Sequence, residues 1–296
     1  LLFTQSHIDI SNAEFELMLA GEEVRRFSPV TLAIDNTRKQ HQVVGQARLE
    51  TEQGKNSEAA FVIEADQLSP SRPLDGEFSI YAKVSDVGTP ILDLAGELLP
   101  IEISQLDASA ELWATLSKRE LSRLQGRASV DKLSFADEKF DNVIDSSFTF
   151  AAEPKGNNRY QIQVSSLTLV SDHTPADTLS LPYVTAMIQL PAPNSETEKG
   201  ALALKQLAIQ SLPLDSIAAW LKDKAYLTDS LNQAVDLLNP KGRLENVLVT
   251  WPDGAALSDF EAVADLVGVG LDEYFGSPSV ANVNGQWACR FRYRSV

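Results

Sequence analysis

The sequence predicts a mainly β fold, a long and strongly curved antiparallel sheet of about fourteen strands with one short helical insert. Three observations carry this prediction. Apolar and polar residues alternate with period two along most of the chain. The faces opposite the apolar ones hold Thr, Ser, Gln, Glu, Lys and Arg, as in antiparallel strands wetted on one side rather than parallel strands buried on both. Helical spacing occurs only between about Pro213 and Asn239.

The alternating segments follow one another in order. Val30, Leu32 and Ile34 share one face, as do Val43, Gly45, Ala47 and Leu49. Ala59, Phe61, Ile63 and Ala65 come next, then Phe78, Ile80, Ala82 and Val84. Ala110, Leu112, Ala114 and Leu116 form the next set, and Ile144, Ser146, Phe148 and Phe150 another. Tyr160, Ile162 and Val164, then Val184, Ala186, Ile188 and Leu190, close the series. Twice the apolar parity slips by one residue, from Val130 to Leu133 and from Val164 to Leu167. Such a slip reads as a β-bulge, which bends a strand and increases its twist. Turn residues separate the runs at Thr51–Asn56, Asp75-Gly76 and Pro154–Asn158, and Pro191–Glu196 is a longer polar loop.

The helical insert, 213–239, has two stripes. Leu214, Ile217, Ala218 and Leu221 are spaced i, i+3, i+4, i+7, and Leu227, Leu231, Ala234 and Leu238 give the second. Asp215 and Thr228 are the expected N-caps. Asn239 precedes Pro240 and so ends the second helix. Gly242 then supplies a left-handed turn into a strand.

The 296 residues carry a net charge of -16. Phosphate contacts need clustered cations, so nucleic acid is not an expected partner. Charge does not draw such a chain to anionic membrane surfaces either. The single cysteine, Cys289, excludes an internal disulfide framework and a cysteine-based zinc site. No run of ~18 apolar residues occurs. A chain opening on Leu1 and stopping at Arg294-Ser295-Val296 reads as an excerpt of a longer protein, one continuous segment over 1–296.

Catalytic templates fail. There is no Gly-x-Ser-x-Gly, P-loop, Gly-x-Gly-x-x-Gly or His-Glu-x-x-His. His7, His41 and His173 are scattered in polar segments. Asp259, Glu261 and Asp265 read as a solvated strand face, and Asp272-Glu273 as a turn edge. Trp113, Trp220, Trp251 and Trp287 are too far apart for a stacking platform and read as core or rim packing.

The apolar faces pose a surface problem. Two helices of about 25 residues together cannot cover so many strands. Exposed apolar area costs roughly 25 cal/mol per Å². The sheet can close as a sandwich or barrel, which alternation alone favours. Or it can curl into a trough occupied by something else, such as acyl chains.

Four stretches carry a resemblance that bears on this choice. They are His7–Leu17, the helical pair from Leu212 to Leu238, Leu238-Asn239-Pro240-Lys241-Gly242-Arg243-Leu244, and Gly276–Gly285, a return to the sheet running from Pro278 to Gly285. In this order the chain resembles the AsmA-like superfamily of the Gram-negative envelope, in particular the central region of its YhdP branch. The resemblance implies a periplasmic protein anchored to the inner membrane by a segment outside these residues. It implies an open, taco-like β-groove that conducts phospholipid toward the outer membrane, as in bridge-like lipid transfer proteins. It implies no catalytic residues, cofactor or metal, and phospholipid acyl chains as the partner, with other envelope proteins as further partners.

In such a groove the lining candidates are Leu112, Leu116, Val130, Phe148, Phe150, Ile162, Val184 and Ile188. Leu214, Ile217, Leu221, Leu231 and Leu238 of the insert face it. Pro240, Gly242, Pro278 and Gly285 are the structural turn residues. The alternative reading is a structural β-scaffold of the envelope that binds another protein and carries no lipid.

Overall fold

Within each unit of the chain every strand lies beside its sequence neighbour. The computed structural model describes residues 5–17, 25–37, 40–49, 57–66, 68, 75–88, 103–118, 120–136, 142–172, 178–190, 203–221, 229–252, 259–273 and 276–291. The chain divides into two units, Leu1–Ala136 and Asp137–Val296. Among the described residues they contain fourteen strands and two short helices, and the protein is mainly β.

The first unit holds β1 (His7–Leu17), β2 (Arg25–Asn36), β3 (Gln40–Leu49), β4 (Ser57–Asp66), β5 (Glu77–Gly88), β6 (Ile103–Ser117) and β7 (Glu120–Phe135). They form an antiparallel meander in chain order. The second unit is built the same way from β8 (Val143–Pro154), β9 (Arg159–Ser171), β10 (Thr178–Gln189), β11 (Ala203–Pro213), β12 (Lys241–Thr250), β13 (Phe260–Leu271) and β14 (Val280–Phe291). Its two helices, α1 (Leu214–Leu221) and α2 (Asp229–Leu238), lie between β11 and β12. Among the described residues the first and last strands of a unit do not pair, so neither meander closes into a barrel.

Bulges interrupt the ladders where small polar residues take left-handed backbone angles. In β5 the register shifts between Val84 and Val87, and Asp86 between them has φ 54°. The Ser57 hydroxyl donates to the Asp86 carbonyl at 2.6 Å, so the freed acceptor keeps a partner although Ser57 is buried. Asp145 in β8 and Ser166 in β9 behave alike, with φ 44° and 54°. There the buried Ser146 hydroxyl donates to the Ile144 carbonyl and accepts from the Val170 amide. Asn246, Gly268 and Asn282 repeat the device in β12, β13 and β14. Both bulges expected from parity slips are present. The β6–β7 register shifts beside Val130, and β9 gains a residue against β8 between Ser165 and Thr168.

The hairpin at 154–159 follows its turn chemistry. Gly156, Asn157 and Asn158 all have positive φ, and Arg159 donates to the Gly156 carbonyl at 3.0 Å. Asp75-Gly76 sits directly before β5. The Thr51–Asn56 turn and the Pro191–Glu196 loop lie outside the described residues, as does the expected cap Thr228. Asp215 does not cap α1. The helix begins one residue earlier, directly after Pro213 ends β11, and Asp215 falls in its first turn, where a carboxylate complements the helix dipole.

Strict burial is sparse. Among the described residues only eleven apolar side chains are buried, including Ile34, Leu49, Val247, Ala262 and Ala264. A closed sandwich of this length would bury its inner faces throughout. Each unit is therefore an open sheet, and the closed-core reading of the alternation does not hold.

Candidate functional site: one apolar face in each unit

Register assembles the alternating residues of the first unit into rows that cross the strands. One row runs Ile8, Ile34, Val43, Ile63, Ile80, Ala114, Leu124. The next runs Ile10, Leu32, Gly45, Phe61, Ala82, Leu112, Gly126, and a third Ala13, Val30, Ala47, Ala59, Val84, Ala110, Ala128. At ~4.8 Å per strand, each row spans about 29 Å. Most of these side chains remain part-exposed. Among the described residues the substantial contacts of each strand here are with its sheet neighbours.

The opposite face is ionic. Glu111 is bonded by Arg127 at 2.7 Å and approached by Lys83 at 3.6 Å, and Arg48 pairs with Glu58 at 2.7 Å. These cations are largely exposed, so the pairs define a wetted side more than they stabilise it. An aromatic spot interrupts this side. Trp113 is 39% exposed and packs on Tyr81 with ring centroids 5.4 Å apart.

The second unit repeats the apolar pattern. Phe150, Val164, Val184 and Ile209 form one row. Ala152, Ile162, Ala186, Leu207, Val249, Ala262 and Cys289 form another, crossing all seven strands of the unit. Helix α1 packs against β10, β11 and β12 and touches α2. Burial is high on this face at Val247, Ala262 and Ala264, while Leu248 and Val263 on the other face stay part-exposed.

The lining candidates divide between the units. Leu112 pairs with Ala82 and Gly126, Leu116 with Phe78 and Leu121, and Val130 with Ala108, all in the first unit. Phe148, Phe150, Ile162, Val184 and Ile188 belong to the second. Phe148 and Phe150 have ring centroids 6.1 Å apart, and Ile188 stands opposite Tyr160 and Leu204. All eight are part-exposed. In the insert Leu214, Ile217 and Leu238 are part-exposed, while the side chains of Leu221 and Leu231 lie outside the described residues. The polar candidates are occupied elsewhere: Glu261 pairs with Arg290 at 2.8 Å, and Asp265 accepts from Asn246 at 2.9 Å.

The helix-to-strand junction is built from three residues. Asn239 adopts a left-handed φ of 41°, and its amide donates to the Val235 carbonyl at 3.1 Å, which closes α2. Its side chain donates to Asp272 at 2.9 Å, tying the helix end to the exit of β13. Pro240 follows, and Gly242 has φ 86°. A Cβ on Gly242 would meet the Gly268 carbonyl group and lie 2.9 Å from the Val267 oxygen. Pro278 is exposed ahead of β14. Gly285, grouped above with the turn residues, instead stands inside β14 opposite Leu266.

Among the described residues no helix is long and apolar enough to cross a membrane. A family model described as YhdP protein matches residues 1–290. No curated protein and no solved structure matches the chain.

Proposed function

The chain belongs to the YhdP family, AsmA-like proteins of the bacterial envelope, and from that premise we propose that this segment binds or conducts phospholipid, with acyl chains lying along the apolar sheet faces. One observation carries the reading. Apolar rows cross seven strands in the first unit, and among the described residues no second layer of secondary structure lies over them. A soluble protein leaves such a face uncovered only where something else occupies it. The length also fits. A bilayer core is ~30 Å, two acyl chains thick, so a row of about 29 Å matches two chains end to end. With a net charge of -16, attraction to anionic lipid would come from apolar contact rather than from charge.

On this reading the segment is not an enzyme. It works in the periplasm, is held to the inner membrane by a part of the protein outside these residues, and passes phospholipid toward the outer membrane. Native mass spectrometry with lipid extraction on the purified chain tests it. Co-purifying phospholipid is the expected result. A clean apo protein that binds no hydrophobic dye would overturn it. That outcome would favour a scaffold that contacts another envelope protein, for which the exposed Trp113, packed on Tyr81, is the observation in favour.

A further inference from the structure

Gly45 is in the middle of β3, and its backbone does not require glycine, because its φ is outside the left-handed region. Glycine inside a strand weakens the sheet unless another group needs the space. Here the group is Phe61, its direct cross-strand partner. A Cβ on Gly45 would collide with the Cζ and Cε1 atoms of that ring and lie 3.1 Å from Cε2. Side chains in strands ordinarily stand roughly perpendicular to the sheet. Phe61 instead leans across onto β3 and covers Gly45, which is buried. Beside the ring, on the same face, runs the row of Val30, Ala47, Ala59, Val84, Ala110 and Ala128. An upright phenyl group at position 61 would stand beside that low row as a wall.

We propose that Gly45 is a positioning residue that keeps Phe61 lying flat, so that an acyl chain can cross the middle of the first unit. The proposal rests on the lipid reading above. A side chain at position 45 would lift the ring and obstruct the row, and the sheet would still form, because the ring is the flexible partner.

The test uses the full chain and vesicles of phosphatidylethanolamine and phosphatidylglycerol. Phospholipid acquired per folded protein is measured beside the melting temperature for wild type, Phe61→Ala, Gly45→Val and Gly45→Val/Phe61→Ala. The expected pattern is lipid uptake by wild type and Phe61→Ala, a severalfold loss in Gly45→Val, and recovery in the double variant. If Gly45→Val does not fold, Gly45→Ala replaces it, since one methyl already meets the ring. Uptake unchanged by the glycine substitution, with only a lower melting temperature, would show a purely structural role and overturn the inference. A loss that Phe61→Ala does not rescue would also overturn it. Both results leave the lipid reading standing, whereas a wild type that takes up no lipid refutes that reading and the inference with it.

Discussion

Replacing Gly242 by alanine should destabilise the second unit more than the same change at Gly156, and the difference can be worked out from the two surroundings. Both glycines have left-handed backbone angles, φ 86° and 76°. Placing an L-residue there costs roughly 1–2 kcal/mol at either site. At Gly156 nothing lies within 4 Å of the new Cβ, so the cost ends there. At Gly242 the Cβ meets the Gly268 carbonyl group and the Val267 oxygen. These are backbone atoms of a paired strand and cannot swing aside. Forcing a methyl against them adds about 1–3 kcal/mol, as overpacking does in a core. A domain of this size loses ~2–4 °C of melting temperature per kcal/mol, so Gly242→Ala should melt about 2–12 °C below Gly156→Ala. Thermal melts followed by circular dichroism at fixed protein concentration give the comparison. If the two variants melt together, β13 does not constrain this junction and the reasoning from the Cβ contacts is wrong.

Ile162→Asp places a carboxylate on a part-exposed face and should leave folding cooperative, while Ala264→Asp, at a site 2% exposed, should cost several kcal/mol; denaturant titration of both variants separates an open face from a closed core, and lipid uptake should fall in Ile162→Asp. Ser57→Ala removes the donor to the Asp86 carbonyl and should lower stability by about 1–3 kcal/mol, read from the urea midpoint. Arg127→Ala on the ionic face should change stability by less than about 1 kcal/mol and leave lipid uptake as in wild type, because the pair it breaks is solvent-exposed on the arginine side.

The strands were legible wherever one face alone is apolar. Ile80 and Ala82, or Ile162 and Val164, stand out against polar neighbours. The bulge beside Val130 was legible for the same reason, since a change of parity needs a parity to change. In β12 and β13 apolar residues occupy both faces, Val247 and Val249 beside Leu248, and Ala262 and Ala264 beside Val263. No slip is visible there, and the bulges at Asn246 and Gly268 leave no mark in the pattern. Open and closed sheets share one alternation, so the choice between them depended on what packs on the face. The place of Gly45 against Phe61 was also hidden, because two residues sixteen apart become neighbours only once the register is known. Likewise the lining candidates were chosen strand by strand, and their division between two units is a property of the chain's contacts rather than of its periodicity.

The chain-order meander also bears on how such a sheet assembles and changes length. Among the described residues of a unit each strand pairs only with the strands just before and after it. Folding can then proceed hairpin by hairpin, with short loop closures and no distant segment to wait for, which favours rapid formation for a β protein. Stability becomes close to a sum of nearest-neighbour terms, as in repeat proteins. Removing or adding two consecutive strands would preserve both strand direction and the side on which the apolar residues emerge. Removing one would reverse every strand beyond it. A sheet of this kind can therefore lengthen or shorten in steps of a hairpin.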